Sequence, residues 1–418
     1  MAEAKQAPQI LLAKEFNLSL KDYGVFDENS PLRTAAIWGP VGSEAVLAQL
    51  FPSNVSLFHD KMNVVVARHE AINFAKTLGT HGVDLIIVRD LLASLLKPRN
   101  LKKSDVLDSL IQKARDIQSQ NVTHRDGINE MIAELVDDDI ERYGEPSALT
   151  LNQVLSLDPK LPLGNSIFAR DQSNLLLNQR IQSAMARPIR KPEVSLYEMV
   201  YKAVGVVTGN EALQKPIKLL NGNDNVGEAV YTFEGGDAYV HDGVVYMGVG
   251  PRTTIQAALH IQNALKEELS KLGFRFAVVV DPDPEHRTFE DGMDFMHLDT
   301  FSTPLGSKQM LVCEEEASRR HVFFIENNGN IKDSAQSYIE HLVSEGNDLL
   351  VIPRTEQQSF GANLLAIDDK TMFLPLSSNT STINGLKKLG KSIVYLDLVE
   401  STKGWGAAHC MTFQIKRG

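Results

Sequence analysis

The sequence predicts an α/β protein in which a unit of strand, turn, strand, helix and strand recurs and closes into a ring rather than a doubly wound sheet. Three observations predict this class. Amphipathic helices lead through a glycine directly into buried strands, hairpins precede two of these pairs, and polar residues recur at a constant interval. A run of helical patterns without strands interrupts the repeat once.

The helix-strand pairs are the clearest local signal. Each shows apolar residues at helical spacing, then a glycine, then a short apolar run, which is typical of a helix that ends at the glycine and a buried strand that follows. Turn residues between two alternating runs predict hairpins at Asp242-Gly243 and near Asp368-Asp369. The three helix-strand pairs occupy residues 71–88, 255–280 and 383–398.

The polar residues that open the units are regularly spaced. Asp171, Glu234 and His297 follow one another at steps of 63 residues, and the next step reaches Phe360, beside Gly361-Ala362-Asn363. In a closed array, the residues that open each unit converge on the ring axis. The spacing therefore predicts that these polar residues lie close together.

A helical stretch breaks the repeat. Residues 91–157 contain no strand-like run, and apolar residues recur at helical spacing from Val106 to Ile117 and from Ile128 to Ile140. We interpret it as an insertion closed by the turn-rich segments EPSALT and DPKLPLGN. The predicted organisation is a main body made of residues 1–90 and 159–418, with an inserted helical domain at residues 91–158.

Composition excludes several classes of protein. The chain has 418 residues, of which 43% are hydrophobic and 23% charged, which is ordinary for a globular protein with a large core. Its net charge of -11 argues against a nucleic-acid binder, which needs a clustered basic surface, and slightly favours a cationic substrate. The sequence has neither a signal peptide pattern nor 18 consecutive apolar residues, so we expect a soluble cytoplasmic protein.

The two cysteines, Cys313 and Cys410, are too few for a disulfide framework or a cysteine-rich metal site. Cys313 lies in the apolar run QMLVC and is expected to be a small buried core residue. Cys410 lies in GWGAAHCMTF, where small residues let the backbone approach the thiol closely. A bound guanidinium or a nearby imidazolium would favour its thiolate, so Cys410 is the candidate nucleophile.

Three motifs contain candidate partners of this thiol. MHLDT (296–300) is predicted as a strand, on which His297 and Asp299 share one face. FEGGD (233–237) presents Glu234 beside two glycines that permit close backbone approach. FARDQ (168–172) holds Arg170 beside Asp171. Taken singly, these motifs have ordinary default interpretations, namely a solvated strand face, a surface turn and a surface ion pair.

Taken in order, the segments NSIFARD, MARPIRK, EGGD, GVGPRTT, MHLDT and HCMTF resemble the arginine deiminases of the guanidine-modifying (pentein) superfamily. The resemblance spans nearly the whole chain, and HEAINFAKTLGTHGVDLIIVRDLLASLL resembles the family's first repeat leading into its helical bundle. It implies an α/β fold, a fivefold pseudo-symmetric ββαβ propeller (pentein) with an inserted α-helical bundle. Residues 1–90 and 159–418 would then form the catalytic propeller, with the site on its axis.

The resemblance also implies catalytic roles for five residues. Asp171 and Asp299 would each form paired hydrogen bonds with a guanidinium. Cys410 would attack its central carbon and leave a covalent thiouronium after an amine departs. His297 would protonate the leaving group and then activate water, while Glu234 orients the imidazole. This is an arginine deiminase-like hydrolase acting on a C–N bond of an amidine, without a cofactor or a metal.

The amino-acid end of the substrate is the part where this chain departs from the family. By the same resemblance, Asn165, Phe168, Arg190 and Arg252 are substrate contacts, and the two arginines would hold the α-carboxylate. Family members usually carry an Arg in the loop before the nucleophile, where this chain has Trp405, and the Phe58-His59-Asp60 segment is also a loose match. An indole stacks on a cation or an apolar group but forms no ion pair with a carboxylate. The expectation is that Arg190 and Arg252 suffice and that Trp405 closes the site.

Three alternatives stay open. An amidinotransferase, or a hydrolase of a different guanidine, would form the same thiouronium. A metallohydrolase is suggested by the potential His and Asp ligands in DPDPEHRTFEDGMDFMHLD. A protein that only binds guanidines is disfavoured by the complete catalytic set. The expected partners are a small guanidino substrate, with arginine as the first choice, and further copies of the same chain, but no nucleic acid and no membrane.

Overall fold

The computed structural model describes residues 23–121, 125–156, 163–219, 231–286, 288–376 and 380–418. Within these ranges, no helix is long and apolar enough to cross a membrane. The strands in chain order are β1 (Leu32–Ile37), β2 (Asp84–Ile87), β3 (Ser173–Leu176), β4 (Gln179–Gln182), β5 (Ile217–Lys218), β6 (Ala238–His241), β7 (Val244–Val249), β8 (Arg275–Val280), β9 (Ser302–Gly306), β10 (Gln309–Cys313), β11 (His321–Ile325), β12 (Ile331–Ser337), β13 (Asp348–Ile352), β14 (Leu365–Ala366), β15 (Thr371–Pro375), β16 (Ser392–Leu396) and β17 (Phe413–Arg417).

Helices alternate with these strands, as expected for an α/β protein. In chain order they are α1 (Ser43–Ala48), α2 (Ser53–Ser56), α3 (Val64–Thr80), α4 (Val88–Leu95), α5 (Lys103–Asn121), α6 (Ile128–Tyr143), α7 (Glu145–Leu155), α8 (Lys191–Thr208), α9 (Glu211–Gln214), α10 (Ile255–Leu272), α11 (Phe289–Asp294), α12 (Glu314–Arg319), α13 (Tyr338–Ser344), α14 (Arg354–Gln358) and α15 (Thr380–Lys388).

The described strands form five sheets with one common pattern. In each, two antiparallel strands are joined by a third strand that runs parallel to the second of them. The antiparallel pair is a hairpin in four of these sheets, whereas β17 and β1 are distant in sequence. The sheets are β17-β1-β2, β3-β4-β5, β6-β7-β8, β9-β10-β13 and β14-β15-β16, and the hairpin β11-β12 extends the third of them beyond β8.

The predicted local elements are confirmed where the sequence signal was strong. The helix-strand pairs appear as α3 with β2, α10 with β8 and α15 with β16. The two hairpins appear as β6-β7, which turns at Asp242-Gly243, and β14-β15. Glycine is suited to these points, since Gly243 and the glycine that ends α10, Gly273, both have a positive φ.

The helical stretch is also confirmed, with one correction. The segment EPSALT, expected to be a turn, begins α7, because its proline suits the first helical turn and Ala148, Leu151 and Leu155 are buried at helical spacing. Of DPKLPLGN, residues 158–162 lie outside the described residues. Helices α4 to α7 share a hydrophobic cluster with the first sheet. Arg89 of α4 lies at their centre and binds Asp139 at 2.7 Å and Glu44 at 3.2 Å.

The strand predicted at MHLDT is wrong. Residues Leu298–Thr300 form one turn of 3-10 helix that precedes β9. The hydroxyl of Thr300 donates a hydrogen bond to the backbone oxygen of His297 at 2.7 Å, and the carboxylate of Asp237 accepts one from the backbone N–H of Leu298 at 3.0 Å. These local bonds occupy backbone groups that a strand would need for pairing.

The first strand of each antiparallel pair, in the order given for the sheets, follows a short irregular segment that carries polar residues. Asp171 precedes β3, Glu234 precedes β6, Asp299 precedes β9, Asn363 precedes β14 and Cys410 precedes β17. All of these side chains are buried. The fold therefore presents one short polar segment from each of the five sheets to a common interior region.

Candidate active site

The Cys410 thiol lies in a closely packed loop before the last strand. An added Cβ at Gly404 would approach the ring of Phe168 to 2.9 Å, and one at Gly406 would approach it to 2.6 Å. Only glycine lets the backbone come this near to an aromatic ring without displacing it. The loop therefore presses on Phe168, and the Cys410 side chain is 1% exposed.

Asn363 forms hydrogen bonds with both the thiol and the backbone of Asp299. Its Nδ2 donates to the Sγ of Cys410 at 3.1 Å and to the backbone oxygen of Asp299 at 2.9 Å. Its Oδ1 accepts hydrogen bonds from the backbone N–H groups of Ala407 at 2.9 Å and Cys410 at 3.3 Å. The sequence interpretation did not select this residue, although the 63-residue spacing reaches its neighbourhood at Phe360.

Asp299 faces the thiol, and its carboxylate also contacts the buried His409. Its carboxylate oxygens lie 3.7 and 3.8 Å from the Sγ of Cys410. Its Oδ2 also lies 2.7 Å from Nδ1 of His409, whose Nε2 lies 3.0 Å from Glu28. Arg170 in turn donates to Glu28 at 2.5 Å. His409 and Glu28 were not predicted, because a buried chain of contacts between the two ends of the sequence leaves no local pattern.

His297 lies between two carboxylates. Its Nε2 is 2.9 Å from Oε2 of Glu234, and its Nδ1 is 3.6 Å from Oδ1 of Asp171. Nδ1 of His297 and Oδ1 of Asp171 are both buried, and neither has a hydrogen-bond partner among the described residues. The imidazole is thus oriented by Glu234, while one nitrogen faces an unused carboxylate oxygen.

The FEGGD segment keeps these groups together. An added Cβ at Gly236 would lie 2.8 Å from Nδ1 of His297 and 3.0 Å from Oδ1 of Asp299, so the backbone packs directly against both side chains. Asp237 accepts hydrogen bonds from Leu298 N–H at 3.0 Å and from the Thr253 hydroxyl at 2.6 Å. Burial is the main cause that raises the pKa of Asp237, to about 7. The default interpretation of FEGGD as a surface turn is therefore wrong.

Electrostatics keep the site in a protonated thiol and imidazolium form. Burial, then repulsion from Asp299 and Asp171, raises the pKa of Cys410 well above its ordinary value, and the Asn363 hydrogen bond offsets this only in part. Burial disfavours a charged His297, but Asp171 and the Glu234 hydrogen bond outweigh it and raise the pKa of His297 to about 9. Burial likewise opposes ionisation of Glu234, but Arg252 and His297 lower its pKa overall.

Arg190 and Arg252, the arginines expected to hold a carboxylate of the substrate, bind carboxylates of the protein. Arg190 donates to Asp171 at 2.6 Å and to Glu193 at 3.1 Å. Arg252 donates to both oxygens of Glu234, at 3.2 and 3.3 Å. Both guanidinium groups are buried. They border the cluster of predicted catalytic residues, and their charges are matched by carboxylates of that cluster.

The remaining predicted contacts line the same region. The side chain of Asn165 donates to the backbone oxygen of Ser56 at 2.8 Å, and its own backbone oxygen accepts from Arg190. Trp405 adopts a positive φ of 68°. Its indole lies edge-on to the ring of His59, at 4.9 Å between centroids. It packs on an apolar cluster formed by Leu57, Ile189, Met293 and Met296.

The pair in FARDQ is not the surface ion pair of the default interpretation. Arg170 is buried and binds Glu28 and the backbone oxygen of Ala238, at 2.5 and 2.7 Å. Asp171, also buried, binds Arg190 instead. Neighbouring residues in this turn thus serve different networks. Cys313 is fully buried in the core, as predicted.

One group of potential metal ligands occurs among the described residues. Asp171, Glu234 and His297 offer ligand atoms that lie within 4.8 Å of one another. The Glu234 oxygens already accept hydrogen bonds from Arg252, Ala186 and His297. A cation there would face the buried guanidinium of Arg252 and displace these bonds, so the donor set does not fit a metal well.

The sequence of the chain is similar to those of known proteins. The family profile "Arginine deiminase" matches residues 56–417. The arginine deiminase of Borrelia duttonii (strain Ly) is 26% identical over 431 aligned positions, which cover 95% of this chain and 98% of that protein. The uncharacterized protein YkgA of Bacillus subtilis (strain 168) is 24% identical over 317 positions, which cover 74% of this chain and 93% of that protein.

Solved structures share the fold. A DDAH from Pseudomonas aeruginosa, solved as a mutant in complex with citrulline, has a TM-score of 0.53 at 16% identity and covers 92% of this chain and 99% of its own. SxtG, an amidinotransferase from Microseira wollei, has a TM-score of 0.51 at 14% identity, with 94% and 97% covered. The profile spans nearly the whole chain, including every residue of the cluster except Glu28. The chain belongs to the arginine deiminase family.

Proposed function

We propose that the protein is a cysteine-dependent hydrolase that converts L-arginine to L-citrulline and ammonia through a covalent thiouronium. The observation that carries the proposal is the position of the Cys410 thiol, 3.7 Å from the Asp299 carboxylate, in one buried site with Asp171, His297 and Glu234. The family match and the arginine deiminase name of the Borrelia duttonii relative support arginine as the substrate.

The substrate guanidinium would lie between Asp171 and Asp299, where two carboxylates suit a planar cation. Oδ1 of Asp171, which has no hydrogen-bond partner among the described residues, is an acceptor available to it. The bound positive charge would lower the thiol pKa, because it neutralises the two carboxylates that hold this pKa high. Substrate binding would therefore create the nucleophile, and the thiol proton would leave to solvent.

The chemical steps follow from the protonation states. The thiolate attacks the guanidinium carbon, a C–S bond forms, and a carbon–nitrogen π pair moves onto nitrogen. His297, protonated because its pKa is about 9, gives its proton to the leaving nitrogen, and ammonia departs. Neutral His297 then takes a proton from water, whose oxygen attacks the thiouronium carbon. Collapse of this adduct forms the C=O bond of citrulline, breaks the C–S bond, returns the Cys410 thiolate and releases the hydroxyl proton to solvent.

We also propose that the five sheets are blades of a pseudo-fivefold propeller into which residues 91–158 are inserted. The common strand pattern of the sheets supports this arrangement. So does the site, since Asp171, Glu234, Asp299, Asn363 and Cys410 each precede the first strand of a different sheet. The TM-scores of 0.53 and 0.51 with a DDAH and an amidinotransferase agree with the same fold.

The test is product analysis with matched cysteine variants. The protein is incubated with arginine, agmatine and simple alkylguanidines, and citrulline, ammonia, urea and ornithine are measured. We expect citrulline and ammonia from arginine, with a catalytic efficiency at least about 100-fold above that for agmatine, because agmatine lacks the carboxylate with which a cation of the site would pair. Cys410→Ser should abolish turnover, and Cys313→Ser should leave it intact.

Other outcomes would point elsewhere. Amidino transfer to an added amine would make the protein an amidinotransferase. Equal activity on agmatine would make Trp405 the specificity determinant. Equal loss of activity in Cys410→Ser and Cys313→Ser, with both variants folded, would contradict the cysteine mechanism, and loss of activity on adding a chelator would favour a metallohydrolase.

A further inference from the structure

The positive charges near the substrate's expected amino-acid end are already neutralised by the protein. Arg190 binds Asp171 and Glu193, and Arg252 binds Glu234 through both of its oxygens. Trp405, in the loop before the nucleophile, carries no charge. A substrate carboxylate that enters this region would thus find no uncommitted cation among these residues, and desolvating an unpaired carboxylate is costly.

Arg187 is the exception in this neighbourhood. It lies in the MARPIRK segment, its side chain is exposed, and that side chain forms no hydrogen bond or ion pair with any residue in the described ranges. An exposed arginine without a partner is ordinary on a protein surface. Its position relative to the cluster of catalytic candidates is what distinguishes it.

The backbone on both sides of Arg187 is attached to the site. Before it, Ala184 exchanges two backbone hydrogen bonds with Phe233, each 3.0 Å, and the Ala186 N–H donates to Oε1 of Glu234 at 3.1 Å. After it, Ile189 belongs to the apolar cluster that contains Trp405. Arg187 therefore lies on a short segment held between Glu234 and Trp405.

Electrostatics agree with this placement. Partial burial and then repulsion from Arg252 lower the pKa of Arg187, and attraction to Glu234 raises it. The guanidinium is thus within electrostatic reach of two residues of the site, yet it stays protonated at any physiological pH. It is a cation near the site whose side-chain donors have no hydrogen-bond partner in the part of the chain that the structure describes.

We propose that Arg187 binds the α-carboxylate of the substrate and makes the enzyme selective for free amino acids that carry a guanidino group. This inference rests on the proposed function of the same site. Its planar fork forms paired hydrogen bonds with a carboxylate. Arg187 supplies the charge that Trp405 does not, while Trp405 provides an apolar wall beside it.

The experiment compares Arg187→Ala, Arg187→Lys and the native protein with arginine as substrate and agmatine as competitive inhibitor. A charged hydrogen-bonded pair contributes about 1.5–3 kcal/mol, so Arg187→Ala should raise the KM for arginine about 10- to 100-fold with kcat nearly unchanged. The inhibition constant of agmatine should stay the same or fall, because agmatine lacks the carboxylate and is itself cationic. Arg187→Lys should recover part of the loss, since lysine keeps the charge but not the fork.

Arg99→Ala, at an exposed position in the helical stretch, is the matched control and should behave as the native protein. Thermal unfolding of each variant checks that it is folded. A native-like KM in Arg187→Ala, or equal weakening of arginine and agmatine, would overturn the inference while leaving the proposed function in place. Failure of the native protein to act on arginine would instead contradict the proposed function.

Discussion

Protonation of single residues controls how this site would work. The Cys410 thiol is kept neutral by burial and by the carboxylates of Asp299 and Asp171, whereas Asp171 and Glu234 keep His297 charged. The negative charges that we propose to bind a guanidinium would therefore keep the thiol protonated until the cation binds. A site of this kind protects its thiol from unrelated electrophiles.

The first prediction concerns the pH dependence of this thiol. In a Cys313→Ser background, the rate of Cys410 alkylation by iodoacetamide should rise with pH through neutrality and still rise above pH 9, since a raised pKa keeps the thiol protonated over that range. Asp299→Asn removes one repulsive charge and should increase the rate at each pH. A rate that is already constant at pH 7 would contradict the prediction, because it would mean that the thiolate is preformed.

The second prediction concerns the two carboxylates. Asp171→Asn or Asp299→Asn should each lower kcat/KM for arginine by at least about 100-fold, the low end of the cost of removing one preorganised polar contact to the reacting group. Asp84→Asn, at the exposed start of β2, is the control and should retain native turnover. Circular dichroism of each variant separates lost catalysis from lost structure. A fully active Asp171→Asn protein would refute the carboxylate clamp.

At the scale of elements, short irregular segments rather than helices or strands position the chemistry. Each catalytic candidate lies just before the first strand of an antiparallel pair. Hydrogen bonds between these segments set their relative positions. Asp237, before β6, holds the backbone of Leu298, before β9. Asn363, before β14, holds both Asp299 and Cys410. Hydrogen bonds between segments of different sheets therefore position the catalytic candidates.

The third prediction tests how closely one of these segments packs. Gly236→Ala would bring a methyl group to 2.8 Å from His297 and 3.0 Å from Asp299, and one of them must shift. Because a displacement of about 1 Å in a catalytic group can cost about 100-fold in rate, kcat should fall by about that factor while the protein stays folded. Gly79→Ala, in an open position of α3, should leave kcat unchanged. Native kcat in Gly236→Ala would show that the packing is not needed for catalysis.

At the scale of the whole molecule, the helical stretch shares a hydrophobic core with the first sheet. Leu110, Ile132 and Leu151 of α5, α6 and α7 belong to the same hydrophobic cluster as Ala35 and Ile37 of β1. The fully buried Arg89 adds charged contacts to Glu44 in α1 and Asp139 in α6. Shared burial of this kind favours one cooperative unfolding transition.

The fourth prediction follows from that shared core. Arg89→Met would leave the buried Glu44 without its cation and Asp139 with Arg68 alone. Removing one partner of a buried ion pair costs about 3–5 kcal/mol of unfolding free energy. Urea unfolding followed by circular dichroism should show one transition, shifted as a whole to lower urea. Arg99→Ala should shift it hardly at all. A variant in which only part of the signal moves would indicate that the helical stretch unfolds by itself.

Local pattern in the sequence determined much of the secondary structure and several site residues. Helix-strand pairs with a terminal glycine and hairpins with Asp-Gly turns were predictable, because their periodicity and turn chemistry are properties of short segments. The spacing of Asp171, Glu234 and His297 predicted their convergence, and the structure places these side chains in contact. Resemblance to known motifs, rather than spacing, selected Asp299 and Cys410.

Only the tertiary structure decided the contacts between distant segments. His409 and Glu28, separated by 381 residues in sequence, meet behind Asp299. Arg190 binds Asp171, whereas the side chain of Arg187 has no partner among the residues that the structure describes, although both belong to one short motif. Such choices depend on which side chains the packed sheets bring within hydrogen-bond distance, and on the burial that makes each pairing favourable. These distances and this burial arise only when the chain folds, so a local sequence pattern does not predict them.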